Sequence, residues 1–139
     1  MGESNRVLTP SFNRSIEVEG RDERLGSDPG AIQLREIMEL SGFRRLLATK
    51  IRDPRRQEAI WYRIEELICT HVLLIAQGWR HEQDANRRRH APALGLAATE
   101  ARGPAAADLP LPSQPTLSRG LDILARDENR EILGEALTA

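Results

Sequence analysis

The segment from Glu58 to Gln77, EAIWYRIEELICTHVLLIAQ, constrains this chain more than any other. Ile60, Ile64, Leu67, Ile68, Val72 and Ile75 fall on one broad face of an α-helix, and Gly78 supplies a C-terminal stop. An apolar face of that width is stable only when other elements cover it, so this helix is expected at the centre of a helical core. Glu65 and Glu66 lie off the stripe and are expected on a solvated face. Adjacent helical residues point about 100° apart, so this pair cannot serve one substrate as acid and base.

The elements that would cover it are also legible. In GSDPGAIQLREIMEL, Asp28 can cap a helix with Pro29 at its first position, and Leu34, Ile37 and Met38 make one face. Gly42 ends that helix, and FRRLLATKI presents Phe43, Leu46, Leu47 and Ile51 on a second. RDPRRQ reads as a turn, because Pro54 disfavours the helical region for Asp53. A charged helix through HEQDANRRRH, a break at Pro92 and a short apolar helix to Ala98 follow.

At 139 residues the chain suits one domain with a modest core. Residues 1–14 are polar and expected to be disordered. SIEVEG, Ser15 to Gly20, alternates as a strand does but has no partner that the sequence shows. Residues 15–98 are expected to form a strand plus a helical domain, residues 99–112 a Pro/Ala-rich loop, and residues 113–139 a C-terminal helical segment. In the last, Leu117, Leu121 and Leu124 share a face, with helical content continuing through Ile132, Leu133 and Leu137. The fold class is mainly α.

Composition excludes several functions. The net charge of -1 rules out a wholesale polycation of the kind that binds DNA by charge alone. Every basic residue but Lys50 is an arginine, which fits either a GC-rich genome or the planar fork that suits phosphates and base edges. One cysteine, Cys69, excludes an internal disulfide and fits a buried place in a reducing cytoplasm. No secretory signal is visible, and Leu67 to Trp79 is too short to span a bilayer, so a cytoplasmic protein without membrane contact is expected.

The chemistry-bearing motifs are few. His71, His81, His90 and Cys69 match no zinc spacing, and no phosphate loop, nucleophile elbow or HExxH helix occurs. RRRH places Arg87, Arg88 and Arg89 around a helix, either as a solvated face or as phosphate contacts. LPSQPTLSR is the densest cluster of donors. Ser113 or Gln114 can cap a helix at Pro115, while Thr116, Ser118 and Arg119 add donors within its first turns. Plain capping needs only one of them; a helix start rich in donors also suits an anion or a base edge.

In order, GRDERL, LREI, IRDPR, LLIAQGWR, RRHAPAL and LPSQPTLSR resemble the N-terminal region of DDE transposases of bacterial insertion sequences, in the branch called transposase DDE domain group 1. The resemblance runs from about Asn13 to Arg119, and SQPTLSR is its most specific piece. It implies a helical region preceding an RNase H-like catalytic core, which this chain is expected to lack together with the catalytic carboxylates. Asp122, Asp127 and Glu128 sit in a charged helical tail and do not replace them. The chain departs from the family at Gly26, where Thr is typical, at Ala91, where Asp is usual, and after Arg119, where Leu-Glu-Asn is common.

The resemblance further implies a truncated transposase that takes part in DNA binding for transposition but is inactive alone. Two Mg2+ would serve the intact family, with no cofactor expected in this chain. Its partners would be insertion-sequence ends or further transposase subunits. The contacts expected with DNA are Ser113, Gln114, Thr116, Ser118 and Arg119, supported by Arg87, Arg88 and Arg89. The alternative is a small helical regulator, DNA-binding or protein-binding, built on a helix-turn-helix.

Overall fold

The computed structural model describes residues 7–19, 30–78 and 92–138. Its elements in order are β1 (Val7–Leu8), β2 (Val18–Glu19), α1 (Gly30–Leu40), α2 (Phe43–Lys50), α3 (Ile64–Ala76), α4 (Pro92–Ala98), α5 (Gln114–Leu124) and α6 (Asp127–Thr138). Short 3-10 turns occupy Gln57–Ala59 and Pro104–Asp108. The described chain is mainly helical. The expected Asp28 cap with Pro29, the strand end at Gly20, the charged helix and Arg87 to Arg89 lie outside the described residues.

α3 is the centre, packed by α1, α2, α4 and α5. It begins later than its apolar pattern. Ile60, Trp61 and Tyr62, one β-branched and two aromatic residues in a row, are poor helix formers, and Ile60 is extended. Glu66 fixes the actual start by accepting the Arg63 backbone N–H at 3.3 Å. Ile64, Leu67, Ile68, Cys69, Leu73 and Leu74 are buried, each large aliphatic chain contributing about 1.5–3 kcal/mol. Because neighbours surround α3, its buried face is wider than the stripe. Glu65 is buried rather than solvated, and Ile75 is turned outward.

α1 is rotated from its expected face. Ala31, Ile32, Arg35 and Met38 point inward, whereas Ile37 is 61% exposed. Arg35 causes the rotation by finding partners inside. Its Nη1 donates to the carbonyls of Ala97 at 2.7 Å and Thr99 at 2.8 Å, the acceptors left open at the end of α4. Its Nε donates to Glu39 at 2.8 Å, and its guanidinium stacks 4.5 Å from the Phe12 ring centroid. Arg44, on α2, joins the cluster by ion pairs with Glu39 and Glu100. Two buried arginines thus knit α1, α2 and the end of α4 together.

The turn between α1 and α2 requires Gly42, whose φ of 79° is the left-handed conformation that a side chain resists. α2 then buries Leu47 and, just past its end, Ile51, as its periodicity predicts.

The N-terminal segment is built into the fold from Val7 onward, where disorder was expected. β1 is the partner that the SIEVEG strand lacked in the sequence, pairing Val7 with Glu19 and Leu8 with Val18 in an antiparallel ladder. Phe12 is in the core and Asn13 is buried. Asn13 Nδ2 donates to Gly103 O at 3.0 Å, and its Oδ1 accepts the Gly103 N–H at 3.2 Å. That amide clamp, with buried Ala106 and Leu111, holds the Pro/Ala-rich loop to the body of the molecule.

α5 crosses α3 at Gly120, where a Cβ would lie 3.1 Å from Leu67 Cβ, so a side chain here would require Leu67 to give way by a few tenths of an ångström. Leu117 and Ile123 are buried at the crossing, while Leu121 is exposed. α6 rests on α5 and is anchored by Asn129, whose side chain is completely buried. Asn129 Oδ1 accepts the Arg52 N–H at 2.8 Å, and its Nδ2 donates to Arg52 O and to Ile123 O, both at 2.9 Å. One amide therefore satisfies the backbone after α2 and a carbonyl near the end of α5.

Candidate nucleic-acid interface

The start of α5 gathers the donors that the sequence singled out. Leu111 and Pro112 are buried and lead an extended chain into Ser113, which occupies the N-cap position. Ser113 makes no side-chain bond to the first-turn N–H groups. Its hydroxyl is 3.0 Å from that of Thr116, and Gln114 Nε2 donates to Ser118 Oγ at 3.0 Å. The hydroxyls thus lace the first turn together instead of capping it. The Leu117 N–H is taken by Ser113 O at 3.0 Å and Pro115 has none, so what this helix end offers an anion is chiefly the positive pole of its dipole.

Arg119 projects from this end of α5 as an exposed side chain with no ion pair among the described residues. Ser113, Gln114, Thr116 and Ser118 are half-buried. The structure therefore brings these five together at one helix end. Arg87, Arg88 and Arg89 lie outside the described residues. On the inner side of α5, His71 Nε2 sits 3.0 Å from Leu117 O, which fixes the helix to α3 and occupies the imidazole.

A second group approaches the same region without having been singled out in the sequence. Tyr62 is half-buried against the core, and its hydroxyl donates to Pro110 O at 3.4 Å, directly before the α5 entry. Tyr62 O accepts Arg55 Nη2 at 3.1 Å, and Arg55 also clasps Asp53 at 2.7 Å. Burial alone would raise the Asp53 pKa, but the hydrogen bonds from Arg55 prevail and hold it below the ordinary carboxylate value. Trp61, beside Tyr62, is 94% exposed, and Arg52, Arg56 and Arg63 are exposed with it. Sequence reading assigned Trp61 to the central helix. An indole between Arg56 and Arg63 was the available signal.

The carboxylates are arranged otherwise. Asp122 is exposed on α5, and Asp127 and Glu128 are exposed in the first turn of α6. Among the described residues no three His, Cys, Asp or Glu side chains converge in a way that could hold a metal ion. Glu66 is displaced upward in pKa by burial, against the opposing hydrogen bond from the Arg63 backbone, and borders a narrow cleft with Tyr62 and Thr70. Cys69 is buried and its thiol is likewise pushed up by burial, which makes it unreactive. No described helix is long and apolar enough to cross a membrane. The helix-turn-helix alternative places a turn of three or four residues between its helices, whereas residues 99–113 separate α4 from α5.

No characterised protein and no solved structure matches this chain. The family model described as transposase DDE domain group 1 matches residues 8–138, which takes in β2, every described helix and the α5 entry. The chain belongs to the transposase DDE domain group 1 family.

Proposed function

We propose that this chain is the helical, DNA-engaging part of an insertion-sequence transposase, and that the start of α5 is one of its contacts with the DNA backbone. The observation that carries this reading is the convergence of Ser113, Gln114, Thr116 and Ser118 at one helix end with the exposed Arg119, which has no ion pair among the described residues. A partially positive helix terminus, an arginine fork and adjustable hydroxyls form a set that suits a phosphate group and the sugar edge beside it. Family membership supplies the DNA.

A salt-titrated gel shift on duplex DNA, comparing the chain with Arg119→Ala, tests the assignment. Loss of one phosphate contact is expected to weaken binding several-fold and to reduce the slope of log K against log salt by about 0.9. Unchanged affinity and slope would remove Arg119 from the interface. With Mg2+ added, the bound DNA is expected to remain unnicked, and cleavage by the purified chain would overturn the division between binding and chemistry.

A further inference from the structure

The loop between α2 and α3 displays a tryptophan that the fold holds away from its own core. Three ties build that loop. Asn129 grips both backbone groups of Arg52, Asp53 Oδ1 accepts the Arg55 N–H at 3.0 Å, and Arg55 reaches across to Tyr62 O. Trp61 and Tyr62 form a bend between the extended residues Ile60 and Arg63. In that bend Tyr62 packs inward and reaches Pro110 O, while Trp61 faces solvent. Its exposure is a product of the loop's construction.

The surroundings identify the kind of ligand that would cover it. Arg52, Arg56 and Arg63 are exposed, and none of them forms an ion pair among the described residues. Asp53 is neutralised by Arg55, leaving Glu58 as the loop's other carboxylate. No second large apolar side chain is exposed between Arg52 and Arg63, so the loop lacks the apolar ring with which a protein partner would enclose an indole. A flat aromatic face amid arginines is the composition that holds a nucleobase by stacking and its phosphates by charge.

We infer that Trp61 is a stacking platform for an unpaired base of DNA, with Arg56 and Arg63 as the phosphate contacts on either side. This rests on the DNA-binding reading above and extends it, because α5 presents donors suited to a backbone while the Trp61 loop presents a face suited to a base that has left the duplex. The Tyr62 to Pro110 contact joins the loop to the α5 entry, so one DNA molecule with a frayed end could meet both.

The test compares the full chain with Trp61→Ala, Trp61→Phe and the double variant Arg56→Gln with Arg63→Gln, by fluorescence anisotropy on a labelled oligothymidylate and on a blunt duplex of equal length. Trp61→Ala is expected to lose about tenfold in affinity for the oligothymidylate and less than about twofold for the duplex, because stacking acts on an unpaired base. Trp61→Phe should retain most of the affinity. The arginine double variant should weaken both complexes and flatten their salt dependence by about 0.7 to 0.9 per lost contact. Thermal unfolding of Trp61→Ala should match that of the parent, since the side chain is almost wholly exposed.

Equal oligothymidylate binding by parent and Trp61→Ala, with duplex binding intact, would overturn this inference alone. Equal losses on both DNAs, or a self-associated parent that Trp61→Ala renders monomeric, would do the same by giving the indole another partner. A parent that binds neither DNA would overturn the DNA-binding reading and this inference together.

Discussion

Arg35→Met is expected to destabilise the fold by about 4 kcal/mol, the range found when one member of a buried ion pair is removed. Methionine keeps much of the volume and the apolar stem but none of the donors. The carbonyls of Ala97 and Thr99 would lose the guanidinium that joins them, and Glu39 would keep only Arg44. Phe12 would lose the cation above its ring, loosening the N-terminal segment as well. Arg35→Lys should recover only part of the loss, because one ammonium cannot reproduce the fork that serves α4 and Glu39 together. Urea unfolding followed by circular dichroism measures the difference. A loss below about 1 kcal/mol would show that the cluster contributes little beyond packing.

Asn129→Ala should cost about 3 kcal/mol, since three hydrogen bonds vanish and buried backbone groups of Arg52 and Ile123 lose their partner. In thermal unfolding that corresponds to a fall in Tm of roughly 10 °C. Asn129→Asp at neutral pH should be at least as harmful, because a carboxylate accepts from the Arg52 N–H but donates to neither carbonyl. Both variants act on the junction of α2, α5 and α6, so loss of protection from hydrogen exchange should spread from Arg52 to α6. A variant with parental Tm would contradict this role for the amide.

These two residues also show where sequence reading stopped. The centre of the molecule was legible because α3 repeats its apolar residues at helical spacing, and Leu67, Ile68 and Leu47 are buried as their periodicity predicts. Helix ends were legible where a turn demanded glycine, as at Gly42. Arg35 was not, because an arginine between Leu34 and Ile37 reads as surface until the open carbonyls of Ala97 and Thr99, more than sixty residues away, are brought beside it. Asn129 is hidden for the same reason within a charged DENR run, its main partner lying 77 residues distant. Phe12 followed a polar stretch, and its burial depends on α1 and on the Asn13 to Gly103 clamp.

At the interface the legible part was chemical and the hidden part geometric. The donors of SQPTLSR were conspicuous by residue type, and the fold places them together at the start of α5. That Ser113 and Thr116 would bond each other rather than the helix N–H groups depends on rotamers that sequence does not specify. Trp61 was hidden because its neighbours Ile60 and Ile64 fit the helical stripe of α3, although the backbone between them is not helical. The tie between Tyr62 and the α5 entry, which brings the tryptophan loop to the donor cluster, is a tertiary contact spanning 48 residues.

The central claim, that this helical part of a transposase grips DNA through exposed arginines and a helix start, is tested most directly by the salt dependence of duplex binding by the full chain. Four exposed arginines, Arg52, Arg56, Arg63 and Arg119, are available as phosphate contacts. If three or four of them engage, log K should fall linearly with log salt with a slope of about -3. A slope near zero, or no binding even at low salt, would contradict the account.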